Sequence, residues 1–217
     1  MKQKSFLIGA AVAFVAIFAG AAAWYNASRS AGSADVPAAT LAALDRPHAP
    51  SLGPADAPVV IVEFLDPACE TCAVFYPLVK NMMAAHPDRI RLVLRWAPFH
   101  AGAPDVVAML EAARRQDLFW PALERLLATQ AAWAINHTAD FPLALMQLQG
   151  LGLDTERLMA DMADPAIGAL IRQDVADGAT LNVRATPEFF VNGKPMPSFG
   201  YEQLLGLVRE ALANADR

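Results

Sequence analysis

The sequence predicts an α/β domain in which a β-α-β half and a β-β-α half are separated by a helical insertion. Three observations predict it. Val59–Leu65 (Val-Val-Ile-Val-Glu-Phe-Leu) is a β-branched and aromatic run that breaks at Asp66-Pro67-Ala68 and leads into Cys69-Glu70-Thr71-Cys72 and a helical pattern. Residues 103–181 read as helix throughout. Strand character returns only near the end, around Asn192-Gly193, and is followed by one closing amphipathic helix.

The chain has 217 residues, room for one ordinary domain with appendages. Phe6–Trp24 is uncharged and apolar, and Lys2 and Lys4 precede it. A positive start before such a run marks a cleaved signal peptide or a membrane anchor, and residues 1–25 are assigned to one of these. Either way the remainder is exported, in keeping with the positive-inside bias. The whole chain carries a formal charge of −5, and the exported part is more acidic still without those two lysines. It has no basic stripe, which excludes nucleic acid as a partner. Residues 26–57 are rich in Ala, Ser, Pro and Gly and read as a linker with a short helix over residues 38–44. The domain is expected over residues 58–214.

In that domain, residues 71–85 place Val74, Phe75, Leu78, Val79, Met82 and Met83 on one face, with Pro77 suggesting a kink. Ile90–Trp96 alternates at first, as a strand does. Within the insertion, Pro104 and Asp105 suit a first helical turn, and Asp154 and Asp164 suit N-caps. Glu188–Val191, Asn192-Gly193 and Lys194–Met196 read as a hairpin. Leu204, Leu205, Val208 and Leu212 form the apolar side of the last helix.

Cys69 and Cys72 are the only cysteines. A C-x-x-C at a strand-to-helix turn is the context of a redox pair. Free N–H groups and the dipole at a helix start favour a thiolate, the nucleophilic form of cysteine. A structural zinc site needs four ligands, and His48, His86, His100 and His137 are scattered without ligand spacing, so no metal site is assigned. An inert bridge is the other alternative, but so short a loop constrains little of the unfolded chain. Export places the pair in an oxidising compartment.

These features resemble the DsbA-like family of thioredoxin-fold thiol–disulfide oxidoreductases of the bacterial envelope. The likeness spans residues 48–213. It rests on Gly53-Pro54-Ala55-Asp56-Ala57-Pro58-Val59 leading to Val62-Glu63-Phe64, on the C-x-x-C, on Leu118-Phe119-Trp120, and on Val183-Arg184-Ala185-Thr186-Pro187 before Phe189-Phe190-Val191-Asn192-Gly193. The resemblance implies a thioredoxin fold with a helical insertion and no cofactor beyond a Cys69–Cys72 disulfide. Cys69 would be the exposed nucleophile and Cys72 the buried resolving cysteine. Glu63 would be the buried acid that moves protons for Cys72, although its alternation leaves it facing either layer. Thr186 and Pro187 would form the substrate edge, with Pro187 on the family's cis-proline.

The implied partners are exported proteins with cysteines and a membrane redox partner, with contact to the inner membrane if residues 6–24 stay uncleaved. Residues 26–57 would be an oligomerising segment in some branches. The sequence departs from the strongest oxidants at Glu70-Thr71, at Ala185 and at Glu188. Glu70, Thr71 and Glu188 are therefore the candidates for tuning the thiol, and they leave the redox direction open. The alternative function is an exported copper or zinc module using both thiolates.

Overall fold

The computed structural model describes residues 36–217. The expected signal or anchor over residues 6–24 lies outside them. Among the described residues, no helix is long and apolar enough to cross a membrane.

A five-stranded sheet forms the centre, in the order β1-β3-β2-β6-β7. Its strands are β1 (Ser51–Leu52), β2 (Val59–Leu65), β3 (Ile90–Trp96), β6 (Glu188–Val191) and β7 (Lys194–Pro195). The pair β2/β3 is parallel, while β1/β3, β2/β6 and β6/β7 are antiparallel. The parallel pair requires a crossover, which α2 (Glu70–Ala85) supplies. Pro77 stays inside this helix, and burial of Phe75, Tyr76, Val79 and Met82 offsets its missing N–H.

Alternation along β2 sorts the two faces. Val59, Ile61 and Leu65 join the larger core with α2 and with Leu204, Val208 and Leu212 of α8 (Tyr201–Ala215). Val62 and Phe64 face a smaller core with Leu44, Val93, Val183 and Phe190. Glu63 therefore shares the face of α2, which resolves the choice that its sequence position left open.

The insertion holds α3 (Ala103–Arg114), α4 (Phe119–Ala128), α5 (Phe141–Gln147), α6 (Thr155–Met162) and α7 (Pro165–Thr180). Asp154 and Asp164 cap α6 and α7 by accepting from the Arg157 and Ala166 N–H groups. One stretch read as helix is not helical. After a single 3-10 turn at Gln130–Ala132, β4 (Ala134–Ile135) and β5 (Thr138–Ala139) form a small hairpin. Asn136 and His137 turn it at φ of 53° and 60°, which no right-handed helix permits and which Asn and His tolerate.

The N-terminal boundary also differs from expectation. The short helix α1 (Ala38–Leu44) is present, but it belongs to the domain rather than to a free linker. Its Ala43 and Leu44 carbonyls accept from buried Arg95, and β1 pairs with the sheet. The fold thus begins near Ala38, not at residue 58, because Arg95 on β3 has to find its partners there.

Candidate active site

The site lies where β2 ends. Asp66 is fully buried and organises the turn. Its Oδ1 accepts from the Ala68 N–H at 2.8 Å, and its Oδ2 contacts both the backbone N–H and Nδ1 of His100 at 2.8 Å. Gln130 of the insertion donates to the carbonyls of Pro67 and Cys69 at 2.8 and 3.0 Å. Both grips hold Cys69 at the N-cap position of α2, where it has extended φ and ψ.

Cys69 and Cys72 are both free thiols. Cys69 is 6% exposed and Cys72 is fully buried one turn on. The Thr186–Pro187 bond is cis, and the Cys69 Sγ donates to the Thr186 carbonyl at 3.3 Å. A hydrogen bond from Cys72 lowers the Cys69 pKa most. Burial opposes it, and the Thr186 side chain and the Cys72 and Thr71 backbone N–H groups assist, leaving the thiol at about 5. Cys72 goes the other way. Burial, the bond it gives to Cys69 and the charges of Glu63 and Cys69 raise it well above the usual thiol value. The two sulfurs therefore differ in acidity because they differ in access to donors and water.

Glu63 is wholly buried, and among the described residues neither of its carboxylate oxygens has a hydrogen-bond partner. Burial first, then the Cys69 charge, pushes it up to about 8. It pairs in register with Leu94 and Phe189, residues of the larger core.

The structure thus gathers Cys69, Cys72, Glu63, Thr186 and Pro187. It does not gather all the expected tuning residues. Glu188 lies directly opposite Phe64 in the register, so its side chain shares the other face of the sheet, away from the cysteines. Burial raises its own pKa, and the Phe189 N–H partly offsets that. Thr71 acts through its backbone N–H. Glu70 is exposed, and its Oε2 lies 3.7 Å from His137 Nδ1.

Four residues of this region were missed in the sequence: Asp66, Gln130, His100 and His137. Nothing in their spacing signals them, since the turn, the insertion and the β3–α3 loop meet only in the fold. The histidines that looked scattered include two that stack, with ring centroids 5.6 Å apart. One ligand atom from each of Glu70, His100 and His137 lies within 4.8 Å of the others. Exposed Val74, Phe99, Ile135 and Phe199 sit on the segments that carry or adjoin these groups, and Phe199 packs on Phe75 at 5.0 Å.

A sequence profile of the thioredoxin family, described as "Thioredoxin", matches residues 45–210. A Na(+)/H(+) antiporter NhaA of Herminiimonas arsenicoxydans is 34% identical over 142 residues, covering 65% of this chain and 22% of that protein. This chain spans about a quarter of the length of the curated relatives it matches, and antiport is the activity named for those longer proteins. Among solved structures, a thioredoxin-like oxidoreductase from Silicibacter pomeroyi DSS-3 superposes with a TM-score of 0.68 at 29% identity, over 81% of this chain and 96% of that one. The alpha-DsbA1 of Wolbachia pipientis superposes with a TM-score of 0.67 at 16% identity, over 81% of this chain and 98% of that one. The profile gives the family and the superpositions give the fold, insertion included. The chain belongs to the thioredoxin family.

Proposed function

We propose that this protein forms or reshuffles disulfides in exported proteins outside the cytoplasmic membrane, through its Cys69–Cys72 pair. The observation that carries the reading is the asymmetric pair: Cys69 at a helix start, 3.3 Å from the Thr186 carbonyl, with Cys72 sealed beneath it.

In the oxidising direction, a substrate thiolate attacks the Cys69 sulfur of the enzyme disulfide. The S–S bond breaks, and its electron pair leaves on Cys72. The Glu63 carboxyl gives that thiolate its proton, because both groups are buried and the protonated acid persists to about pH 8. A second substrate thiolate then attacks the mixed disulfide and releases Cys69 as a thiolate. The substrate loses two electrons and the enzyme gains them, so turnover needs an external oxidant, for which a membrane redox partner is proposed. An extended substrate chain would pair with the backbone of Thr186, and exposed Val74, Phe99, Ile135 and Phe199 supply apolar surface for its side chains.

The acidity of Cys69 bounds the reduction potential. A pKa of about 5 lies above the roughly 3.5 of the strongest oxidants and below the roughly 7 of a thioredoxin reductant. The reduction potential should then fall between the roughly −120 mV of the strongest oxidants and the roughly −270 mV of thioredoxin, a window that holds isomerases and glutaredoxin-type reductants alike. Equilibration with glutathione in the presence of a chelator measures it, and a value outside that window rejects this reading of the Cys69 acidity.

The test of function is trapping in cells. Cys72→Ser should accumulate mixed disulfides through Cys69, and Cys69→Ser should accumulate none. Trapped partners should be exported proteins. If only cytoplasmic proteins are trapped, the proposed location is wrong. If neither variant traps anything and the wild type turns over no scrambled substrate, the activity is wrong.

A further inference from the structure

We infer that Glu70, His100 and His137 form a binding site for a divalent transition-metal ion of the zinc class, separate from the two thiols. Three chain segments converge there. Glu70 begins α2, His100 lies in the loop after β3, and His137 sits at the tip of the β4–β5 hairpin. One ligand atom of each lies within 4.8 Å of the other two. Two imidazoles and one carboxylate are the donor set of three-residue zinc sites that leave a further position to water or substrate. These borderline donors also suit nickel and copper(II), but not calcium or magnesium.

The surroundings are built rather than incidental. His100 Nδ1 lies 2.8 Å from the fully buried Asp66 carboxylate. A carboxylate that receives one ring N–H fixes the tautomer and leaves Nε2 with a free lone pair, the arrangement found behind metal-ligating histidines. The backbone fixes His137 relative to His100. The Ala139 N–H donates to the Ala101 carbonyl at 2.8 Å, and Ala101 forms a parallel bridge with Thr138. Gly102 makes that approach possible, since a Cβ there would lie 2.3 Å from the Ala139 carbonyl oxygen.

Direct attraction between the side chains does not account for the convergence. The Glu70–His137 pair is 3.7 Å apart, and both side chains are more than half exposed. An exposed pair of that kind stabilises by little. Zinc bonds of about 2.0–2.1 Å place tetrahedral ligands roughly 3.4 Å apart, so closure asks a shift of about 1 Å from two exposed side chains.

The experiment uses the full-length protein with its thiols locked in the Cys69–Cys72 disulfide, so that neither sulfur can be a ligand. Calorimetric titration with Zn2+ should give one ion per chain. Titration with Co2+ should give visible ligand-field bands without a sulfur-to-metal charge-transfer band. His137→Ala, His100→Ala and Glu70→Gln should each weaken Zn2+ binding by about tenfold or more, with the thermal unfolding of the exposed Glu70 variant unchanged. No Zn2+ uptake by the oxidised wild type overturns the site. So does a His137→Ala protein that binds as tightly as the wild type. Thiol exchange by the metal-free protein is unaffected by either result, so this test and that of the proposed activity fail independently.

Discussion

Glu63 is the residue where stability and chemistry pull in opposite directions. A carboxyl with no partner in the core is costly once ionised, and burial holds it protonated to about pH 8. In the unfolded chain it ionises near 4.5. Between those values the folded state holds one more proton than the unfolded state, so stability falls as pH rises, by about 1.4 kcal/mol per unit. Glu63→Gln removes the titration. It should gain about 1–3 kcal/mol at pH 7, a gain that shrinks toward pH 4.5. The same change should slow the step that protonates or deprotonates Cys72. Urea unfolding at pH 5 and pH 8 separates the outcomes, and an equal gain at both would refute a buried protonated acid. Alternation in the sequence placed this glutamate on a strand. Only the register, Glu63 opposite Leu94 and Phe189, decides that it faces the cysteines.

Among the elements, those with strong periodicity were legible: β2, β3, the amphipathic helices and the capping aspartates. The β4–β5 hairpin was not. Its strands are two residues each, and Asn136-His137 lacks the glycine that usually announces such a turn. The misplacement of Glu188 has a related origin. It follows the proline of the site, but a neighbour along a strand points to the opposite face.

The hairpin and the β3–α3 loop depend on Gly102, which sits at φ 75° with the Ala139 carbonyl where a side chain would begin. Gly102→Ala should cost about 2–3 kcal/mol from the left-handed backbone and the forced separation together. Hydrogen exchange offers the local reading. The Ala139 N–H, bonded to Ala101, should exchange faster than the Leu94 N–H of the central sheet. Equal protection at Ala139 in variant and wild type would show that the glycine does not hold the hairpin.

At the scale of the molecule, the sheet separates a redox face from an ionic one. On the ionic face, Arg95 is fully buried and donates to Asp174 and Asp177 of α7 and to the carbonyls of Ala43 and Leu44. Arg46 bonds Asp177 at 2.7 Å, and His48 meets Asp174 at 2.6 Å. The network ties the first residues of the domain, β3 and the last insertion helix together. It is the reason that the boundary read from composition fell too late, since an Ala- and Pro-rich segment gives no hint that a buried arginine needs its carbonyls.

Breaking one partner leaves the others charged and dry. Asp174 also accepts from the Trp96 N–H at 2.9 Å, so Asp174→Ala strips both Arg95 and the sheet backbone of an acceptor. The expected loss is about 3–5 kcal/mol. Acid should reach the same network at Asp177. Burial raises its pKa, but the bonds from Arg46 and Arg95 outweigh that and hold it at about 2. Its depressed pKa contributes stability that is whole above the ordinary carboxylate range and is lost as pH falls through about 2. Guanidinium unfolding of wild type and Asp174→Ala at neutral pH tests the first effect. A loss below about 1 kcal/mol would mean that the pair is as weak as a surface salt bridge and does not anchor α1. Thiol exchange by the folded fraction should be unchanged, because Asp174 lies across the sheet from Cys69.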